Sequence, residues 1–344
     1  MNARLFAPLI AAAIVVASCG GTAPAAPPAA AGSSAAATPV ARAKITVGYT
    51  SLSGTQLPAW VAKEKGFFDQ NGLDVELVAI ANGQAGTAAI LAGEVQFLQI
   101  AVEPIQVDLT GNADIVYIVA PQTALTFKLF ALPTITDPKQ LKGAKVGITA
   151  LGSVTNTAAK MAARNLGLDP DKDIELVVLN NIPNVLVGLK TGAIQAGILS
   201  SPTTIQAREA GMRELIDVSK LGKFLTAWQA TTRKFAAANP DVVRRYVRSL
   251  VQALAVEIQD PAETQRILGQ YLKITDQAQL KESYNELQPI LRRVPTPDLE
   301  TVKNVLDEFA PTIPQAKGAD PARFVDDHWV KELEASGFIA GLYK

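Results

Sequence analysis

Small polar side chains collect where predicted strands run into predicted helices. Hydroxyl, amide and backbone N–H groups at such points bind a solute without changing it covalently, which favours a binding site over a catalytic one. The candidate ligand-binding residues are Ser51, Ser53, Gln56, Asn82, Gln84, Glu103, Gly152, Ser153, Thr155, Asn156 and Ser200.

The strongest single motif in this set is Gly152-Ser153 at the start of a predicted helix. Unpaired backbone N–H groups, the helix dipole and a hydroxyl together favour an anionic or strongly polar group. The alternative is that Ser153 and Thr155 only cap their own helix.

Glu103 is the only charged residue in these loops. If it faces the cleft, it favours an amine or another ligand rich in hydrogen-bond donors. A solvated surface carboxylate before Pro104 is the competing interpretation. The loops therefore predict a small, polar, weakly charged organic solute.

Composition excludes several other functions. The chain has one His and one Cys, too few soft ligands for a zinc or iron site, and we predict neither a metal nor a cofactor. Neither Ser-His-Asp order nor metal-ligand spacing occurs, so no catalytic residue is predicted. Lys and Arg total 32, as do Asp and Glu, and a chain without a basic face is not expected to bind nucleic acid.

The elements that must position these residues occur twice. Segments 47–50, 74–78 and 93–96 return about a hundred positions later as 146–149, 173–177 and 192–195, at one constant offset. Strands that alternate with helices in each copy predict a mainly parallel, doubly wound sheet. Two such α/β lobes form a clamp, whose ligand lies beyond the carboxyl ends of the strands.

The N-terminus predicts export and a lipid anchor. One Arg precedes an apolar run from Leu5 to Ala17, which has the length of a signal-peptide core and is too short to span a bilayer. The following Ala-Ser-Cys-Gly looks like a bacterial lipobox with Cys19 as the lipidated residue, although an incidental Cys is the alternative. We predict a signal peptide over 1–18 and a disordered Ala/Pro-rich tether over 19–43.

The remaining chain divides into three parts. Residues 44–125 are predicted to begin lobe 1, residues 126–222 to form lobe 2, and residues 223–344 to return to lobe 1 with a helical tail. Within the tail, Asn239-Pro240-Asp241 predicts a helix start with Asn239 as the N-cap. Apolar residues at helical spacing from Val242 to Leu254 then predict a buried face.

Several blocks resemble a known family. Residues 60–68 followed by 72–76 are similar to the "A…KGFF…GLDVE" opening of periplasmic solute-binding proteins for nitrate, alkanesulfonates, taurine and thiamine-pyrimidine precursors. Residues 141–147, 167–174 and 239–243 resemble later blocks of the same family. One departure concerns Gln96 and Gln195, where many relatives have Asp.

The resemblance implies the type II periplasmic binding protein fold, with two doubly wound α/β lobes, a ligand cleft and a helical C-terminal segment. It also implies the partners of such a protein: a small-molecule solute, an ABC permease with its ATPase, and a bacterial membrane reached through the lipid anchor. We expect a monomer outside the cytoplasm. The alternatives are a tethered solute sensor and, less favoured, an enzyme of the same fold of the pyrimidine-forming or desulfinating type.

Overall fold

The computed structural model describes residues 42–111 and 113–344. The signal peptide, the predicted lipidation site Cys19 and nearly all of the tether lie outside the described residues. Within those ranges, none of the helices combines the length and the apolar character needed to cross a bilayer.

Ten strands in the described residues form two five-stranded sheets, one for each lobe. The strands are β1 (Ala43–Tyr49), β2 (Leu73–Ala79), β3 (Phe97–Ile100), β4 (Ile115–Val119), β5 (Lys128–Ala131), β6 (Ala144–Ile148), β7 (Ile174–Val178), β8 (Ala196–Leu199), β9 (Arg213–Asp217) and β10 (Trp228–Thr232).

Helices cover the sheets and build the C-terminal tail. The α-helices of the described ranges are α1 (Leu57–Glu64), α2 (Phe67–Gln70), α3 (Gly83–Ala92), α4 (Glu103–Gly111), α5 (Val154–Asn165), α6 (Ile182–Lys190), α7 (Thr203–Glu209), α8 (Arg233–Ala238), α9 (Pro240–Gln259), α10 (Pro261–Leu272), α11 (Gln277–Leu287), α12 (Leu299–Phe309), α13 (His328–Ala335) and α14 (Phe338–Gly341).

Each sheet has the same plan. The lobe 1 sheet has the order β2-β1-β3-β10-β4, and the lobe 2 sheet has the order β7-β6-β8-β5-β9. In lobe 1, β1 is parallel to β2 and β3, while β10 is antiparallel to β3 and β4. In lobe 2, β6 is parallel to β7 and β8, while β5 is antiparallel to β8 and β9.

The sheets are therefore mixed rather than simply parallel. The antiparallel strand in each sheet is the one that follows a crossing between lobes: β5 follows β4 of the other sheet, and β10 follows β9. Such a strand enters its sheet from the opposite lobe, without the crossover helix that a parallel connection requires. The sequence predicted the two crossings but not the direction of these strands.

The internal repeat is present in the strand registers. Val47 pairs with Phe97 in lobe 1, and Val146 pairs with Ala196 at the matching place in lobe 2. The side chains of Gln96 and Gln195 also act alike: each accepts a backbone hydrogen bond, from Thr46 at 2.8 Å and from Lys145 at 3.0 Å. The two glutamines thus hold the equivalent strands β1 and β6.

The equivalent glycines Gly48 and Gly147 allow neighbouring apolar side chains to pack closely on both sheets. A Cβ at Gly48 would lie 2.7 Å from Cδ1 of Ile80, and one at Gly147 would lie 2.5 Å from Cδ1 of Ile194. A methyl group at either position would force these side-chain ends to shift, because real Cβ contacts are not that short.

Helix α9 of the tail packs on lobe 1. Val243, Tyr246, Val247 and Leu250 of α9 are fully buried, in one apolar cluster with α1 and the outer face of the lobe 1 sheet. Asn239 does not cap α9, however. Its amide group instead donates to the carbonyl of Phe235 at 3.1 Å, because the preceding helix α8 ends at the same residue.

The sequence interpretation missed α4 and β9. Helix α4 contains the β-branched residues Ile105 and Val107 together with Pro104, all of low helix propensity, and it forms because tertiary packing buries it. Strand β9 follows Gly211 and is an edge strand whose first two residues are exposed.

Candidate functional site

A cavity of about 850 Å³ lies at the carboxyl ends of the strands and is lined by residues of both lobes. Its volume is within the range of roughly 300–1,000 Å³ that is typical of small-molecule sites. Nine of the predicted residues line it: Ser51, Ser53, Gln56, Asn82, Gln84, Glu103, Ser153, Thr155 and Ser200.

In lobe 1 the loop after β1 presents a chain of hydroxyl groups. Ser53 Oγ lies 2.8 Å from Thr55 Oγ1 and 3.2 Å from Ser51 Oγ, which also accepts a bond from Gln56 Nε2 at 3.2 Å. Ser53, Thr55 and Gln56 are buried. These bonds hold the hydroxyl groups in place before any solute arrives, so little side-chain freedom would be lost on binding.

In lobe 2 the loop after β6 carries the matching hydroxyl groups. Ser153 Oγ lies 2.8 Å from Thr155 Oγ1, which also lies 2.8 Å from Thr149 Oγ1. Ser153 Oγ accepts the N–H of Asn156 at 3.3 Å, so this residue does cap α5. Capping and cavity lining are therefore compatible roles for the same side chain.

Asn82 and Asn181 have equivalent places in the two lobes. Asn82 Oδ1 accepts the N–H of Ala85, and Asn181 Oδ1 accepts the N–H of Asn184, both at 2.9 Å. The two side chains cap α3 and α6 and line the cavity as well. Their carbonyl oxygens are committed to the helices, which leaves the NH₂ groups for a solute.

Glu103 is the buried charged group of the cavity, with only 4% of its surface exposed. Desolvation raises the pKa of its carboxyl group to about 7, although hydrogen bonds from the backbone N–H groups of Glu103 and Val154 act in the opposite direction. Val154 begins α5 in lobe 2, so Glu103 joins the two lobes. The competing interpretation of Glu103 as a solvated surface carboxylate is wrong, because α4 carries it inward.

Two predicted residues, Gly152 and Asn156, do not line this cavity. They border a separate cavity of about 400 Å³, together with Gln106 and Thr312. Gly152 has φ of +73° and lies directly against Gln106, whose Nε2 would be 2.8 Å from a Cβ at that position. The glycine therefore supports contact between lobes, and we leave both residues out of the proposed site.

Sequence reasoning missed the apolar part of the wall. Leu52, Leu272, Ile182, Leu186 and Val187 line the cavity, and Leu52 and Val187 are 62% and 56% exposed. A signal was available in α6, whose sequence IPNVLVGLK is apolar on more faces than one sheet can cover. Exposed apolar side chains at a cavity mouth are typical of binding sites.

Helix α11 links the lobes beside the cavity. Glu286 of α11 pairs with Lys128 of β5 at 2.7 Å, and Ser283 Oγ lies 2.5 Å from Ser201 Oγ. Arg208 of α7 also pairs with Glu282 and with Glu286. These contacts join the tail to lobe 2 across the cleft, which suits a hinged clamp.

The architecture is similar to known binding proteins. A protein of Bordetella bronchiseptica RB50 superposes with a TM-score of 0.75 at 20% identity, covering 86% of this chain and 98% of that chain. The alkanesulfonate-binding protein SsuA of Xanthomonas axonopodis pv. citri, bound to MOPS, gives a TM-score of 0.69 at 18% identity, with 83% and 99% covered. The predicted type II periplasmic binding protein fold is thereby confirmed.

Sequence comparison gives a consistent result. A Brucella abortus (strain 2308) protein, named as a binding protein, is 26% identical over 243 residues, which cover 69% of this chain and 74% of the relative. The family model described as NMT1/THI5 like matches residues 55–264. Because that match spans more than half of the chain, this protein belongs to the NMT1/THI5-like family.

Proposed function

We propose that this protein is an extracytoplasmic, lipid-anchored solute-binding component of an ABC importer. The observation that carries the proposal is the cavity of about 850 Å³, lined by preorganised hydroxyl groups from both lobes. A solute that contacts both walls would stabilise the closed arrangement, and a permease would recognise that arrangement. Attachment through Cys19 is proposed from the lipobox-like sequence, and a monomer is proposed as well.

The proposed solutes are small organic molecules, with sulfonates, taurine, nitrate and pyrimidine precursors as the family's known range. A nitrate ion would fill little of this cavity, so volume favours the larger organic members. Binding rather than catalysis is supported by the position of the chain's one histidine, His328, which lies on α13 beside Asp326 and Trp329 and does not line the cavity.

The test is thermal unfolding of the unlipidated chain from Gly20 onward against a solute panel. The panel contains nitrate, taurine, alkanesulfonates, aminopyrimidines, aromatic carboxylates, amino acids and alkylamines. A ligand at a hundred times its dissociation constant should add about 2.7 kcal/mol of stability. Mass spectrometry of the released solute must then find it unconverted; a chemically changed solute would favour an enzyme instead.

A matched pair of variants locates the site. Ser200→Ala removes a buried hydroxyl from the cavity wall and should weaken binding severalfold, because a hydrogen bond contributes about 1 kcal/mol. Asn156→Ala alters the neighbouring, smaller cavity and should leave affinity unchanged. The reverse pattern would move the site to the smaller cavity, and no binding by any solute in the panel would contradict the proposed function.

A further inference from the structure

The Glu103 carboxyl group is held in an unusual way for a buried acid. Its Oε2 atom is buried and accepts no hydrogen bond. Its partners are the backbone N–H groups of Glu103 and Val154, and no ion pair to it exists among the described residues. A buried carboxylate with an unsatisfied oxygen is costly, so a donor from outside the chain would stabilise it.

The surrounding backbone keeps this carboxyl group in place. Helices α3, α4 and α5 begin at Gly83, Glu103 and Val154, so three positive helix ends converge near the group. Gly83 leaves room for it, since a Cβ there would lie 2.2 Å from Glu103 Cδ. The protein's own acid therefore occupies the start of α5, where an anionic part of a solute was expected.

An oxyanion solute is disfavoured by this arrangement. Once the carboxyl group is ionised, as at pH 8, an oxyanion would meet a like charge in a desolvated place, and the α5 start that could have bound it is already occupied by that group. A cationic N–H group is favoured instead, because it would pair with Glu103 and donate a hydrogen bond to Oε2. Its remaining N–H bonds could go to the hydroxyl groups of Ser53, Ser153 and Ser200, which line the same cavity.

The outer part of the cavity has different chemistry. Leu52 comes from lobe 1, Val187 from lobe 2 and Leu272 from the helical tail, and all three line the cavity. Leu52 and Val187 are mostly exposed, so their apolar surface is free to be covered by a ligand. The exposed Lys190 also lines the cavity, at the end of the helix that carries Val187. The cavity thus joins a polar, acidic interior to a mouth that is apolar apart from this one cation.

We propose that the solute is an amphiphilic organic cation: its N–H-bearing head group binds Glu103, and its apolar body extends along Leu52, Leu272 and Val187. This inference rests on the proposed function, because it names the chemical class of the solute that the same cavity captures. A cavity of about 850 Å³ also has room for molecules well above taurine in volume.

The test is calorimetric titration of the chain from Gly20 onward at pH 8 with three probes of equal length. These are hexylamine, hexanoate and hexane-1-sulfonate. Hexylamine should bind at least about tenfold more tightly than either anion, since like charges at close range are strongly disfavoured. Octylamine should bind roughly tenfold more tightly than hexylamine, because two further methylene groups are buried.

Variants test which residues bind the amine head of the probe and which bind its alkyl chain. Glu103→Gln keeps the shape of the side chain and should weaken hexylamine binding at least about thirtyfold, as for other desolvated charge pairs. Glu94→Gln, at an exposed position away from the cavity, should change nothing. Leu52→Ser, also at an exposed position, should remove most of the gain from hexylamine to octylamine.

Three results would overturn the inference. These are equal or tighter binding of hexanoate or hexane-1-sulfonate, unchanged hexylamine affinity in Glu103→Gln, and no binding of any amine. Binding of an anion with no binding of amines would leave the proposed function intact and reverse only the solute class. Failure of every solute in the wider panel would contradict both.

Discussion

The two lobes share a frame and differ in what they present to the cavity. Ser53 and Thr55 of lobe 1 match Ser153 and Thr155 of lobe 2, with the same 2.8 Å between hydroxyl oxygens. After the equivalent strands β3 and β8 the similarity ends. Lobe 1 places Glu103 there, whereas the corresponding position of lobe 2 is Pro202.

The residues that build each lobe can therefore be conserved between the lobes while the residue proposed to recognise a solute differs. Features of the frame recur because each α/β lobe has the same helices to pack and the same strands to start. The buried acid Glu103 has no counterpart in lobe 2, where a second acid opposite it would repel the first. The other charged residue that lines the cavity is the exposed Lys190.

The largest effect concerns Glu103 without any solute. Its pKa is about 7 in the folded chain and 4.5 in an ordinary environment, so the folded state holds a proton that the unfolded state releases. Stability should therefore fall between pH 4.5 and about 7, by about 3 kcal/mol in total. Chemical denaturation at a series of pH values measures this loss.

Glu103→Gln is the control, because it cannot titrate and should remove this pH dependence. Glu257, which is also buried with a raised pKa, is present in both proteins and cancels in the difference. Tyr117 adjoins Glu103, but burial, and secondarily the Glu103 charge, raises its pKa well above 10, so it stays neutral in this range. Identical pH profiles for the two proteins would show that the folded chain does not hold the Glu103 proton.

Overpacking the paired glycines should affect both lobes. Gly48→Ala and Gly147→Ala introduce a methyl group within 3 Å of buried side chains, and each should cost about 1–3 kcal/mol. Gly341→Ala, where no atom lies within 4 Å, should be nearly neutral. Denaturant midpoints measure the three effects, and a loss confined to one lobe would contradict the shared frame.

The paired caps should have the smallest effect. Asn82→Ala and Asn181→Ala each remove one hydrogen bond to a helix start and should each cost about 1 kcal/mol, to a similar degree. Thermal unfolding compares them, with Asp74→Ala at an exposed strand position as the control. A cost for Asn82 much larger than for Asn181 would break the equivalence of the two caps.

Local signals in the sequence were sufficient for much of this description. Gly66, just after α1, and Gly72, in the turn before β2, both have positive φ. The Ser153 hydroxyl group caps α5. These features depend on a few neighbouring residues, whose chemistry is the same in any fold. Asn239 shows the limit of such reasoning, since a strong N-cap signal was overruled by a helix ending at the same residue.

Nine of the eleven site residues predicted from the sequence line the cavity, for a similarly general reason. Parallel strands end at one edge of a sheet, so residues that directly follow them must lie near one another. The two exceptions, Gly152 and Asn156, lie in the same loop and helix start as Ser153. Neighbouring residues of one segment face different sides, so Ser153 and Thr155 line one cavity while Gly152 and Asn156 border the other.

The sequence by itself determined the two-lobed α/β plan, the internal repeat and the predicted export signal, because periodicity, turn chemistry and composition act locally. Only the tertiary structure decided that Glu103 is buried at the start of the lobe 2 helix α5 and that apolar side chains surround the cavity mouth. The reason is distance along the chain: Gly83, Glu103 and Val154 come from three separate segments, and no local pattern records that they meet.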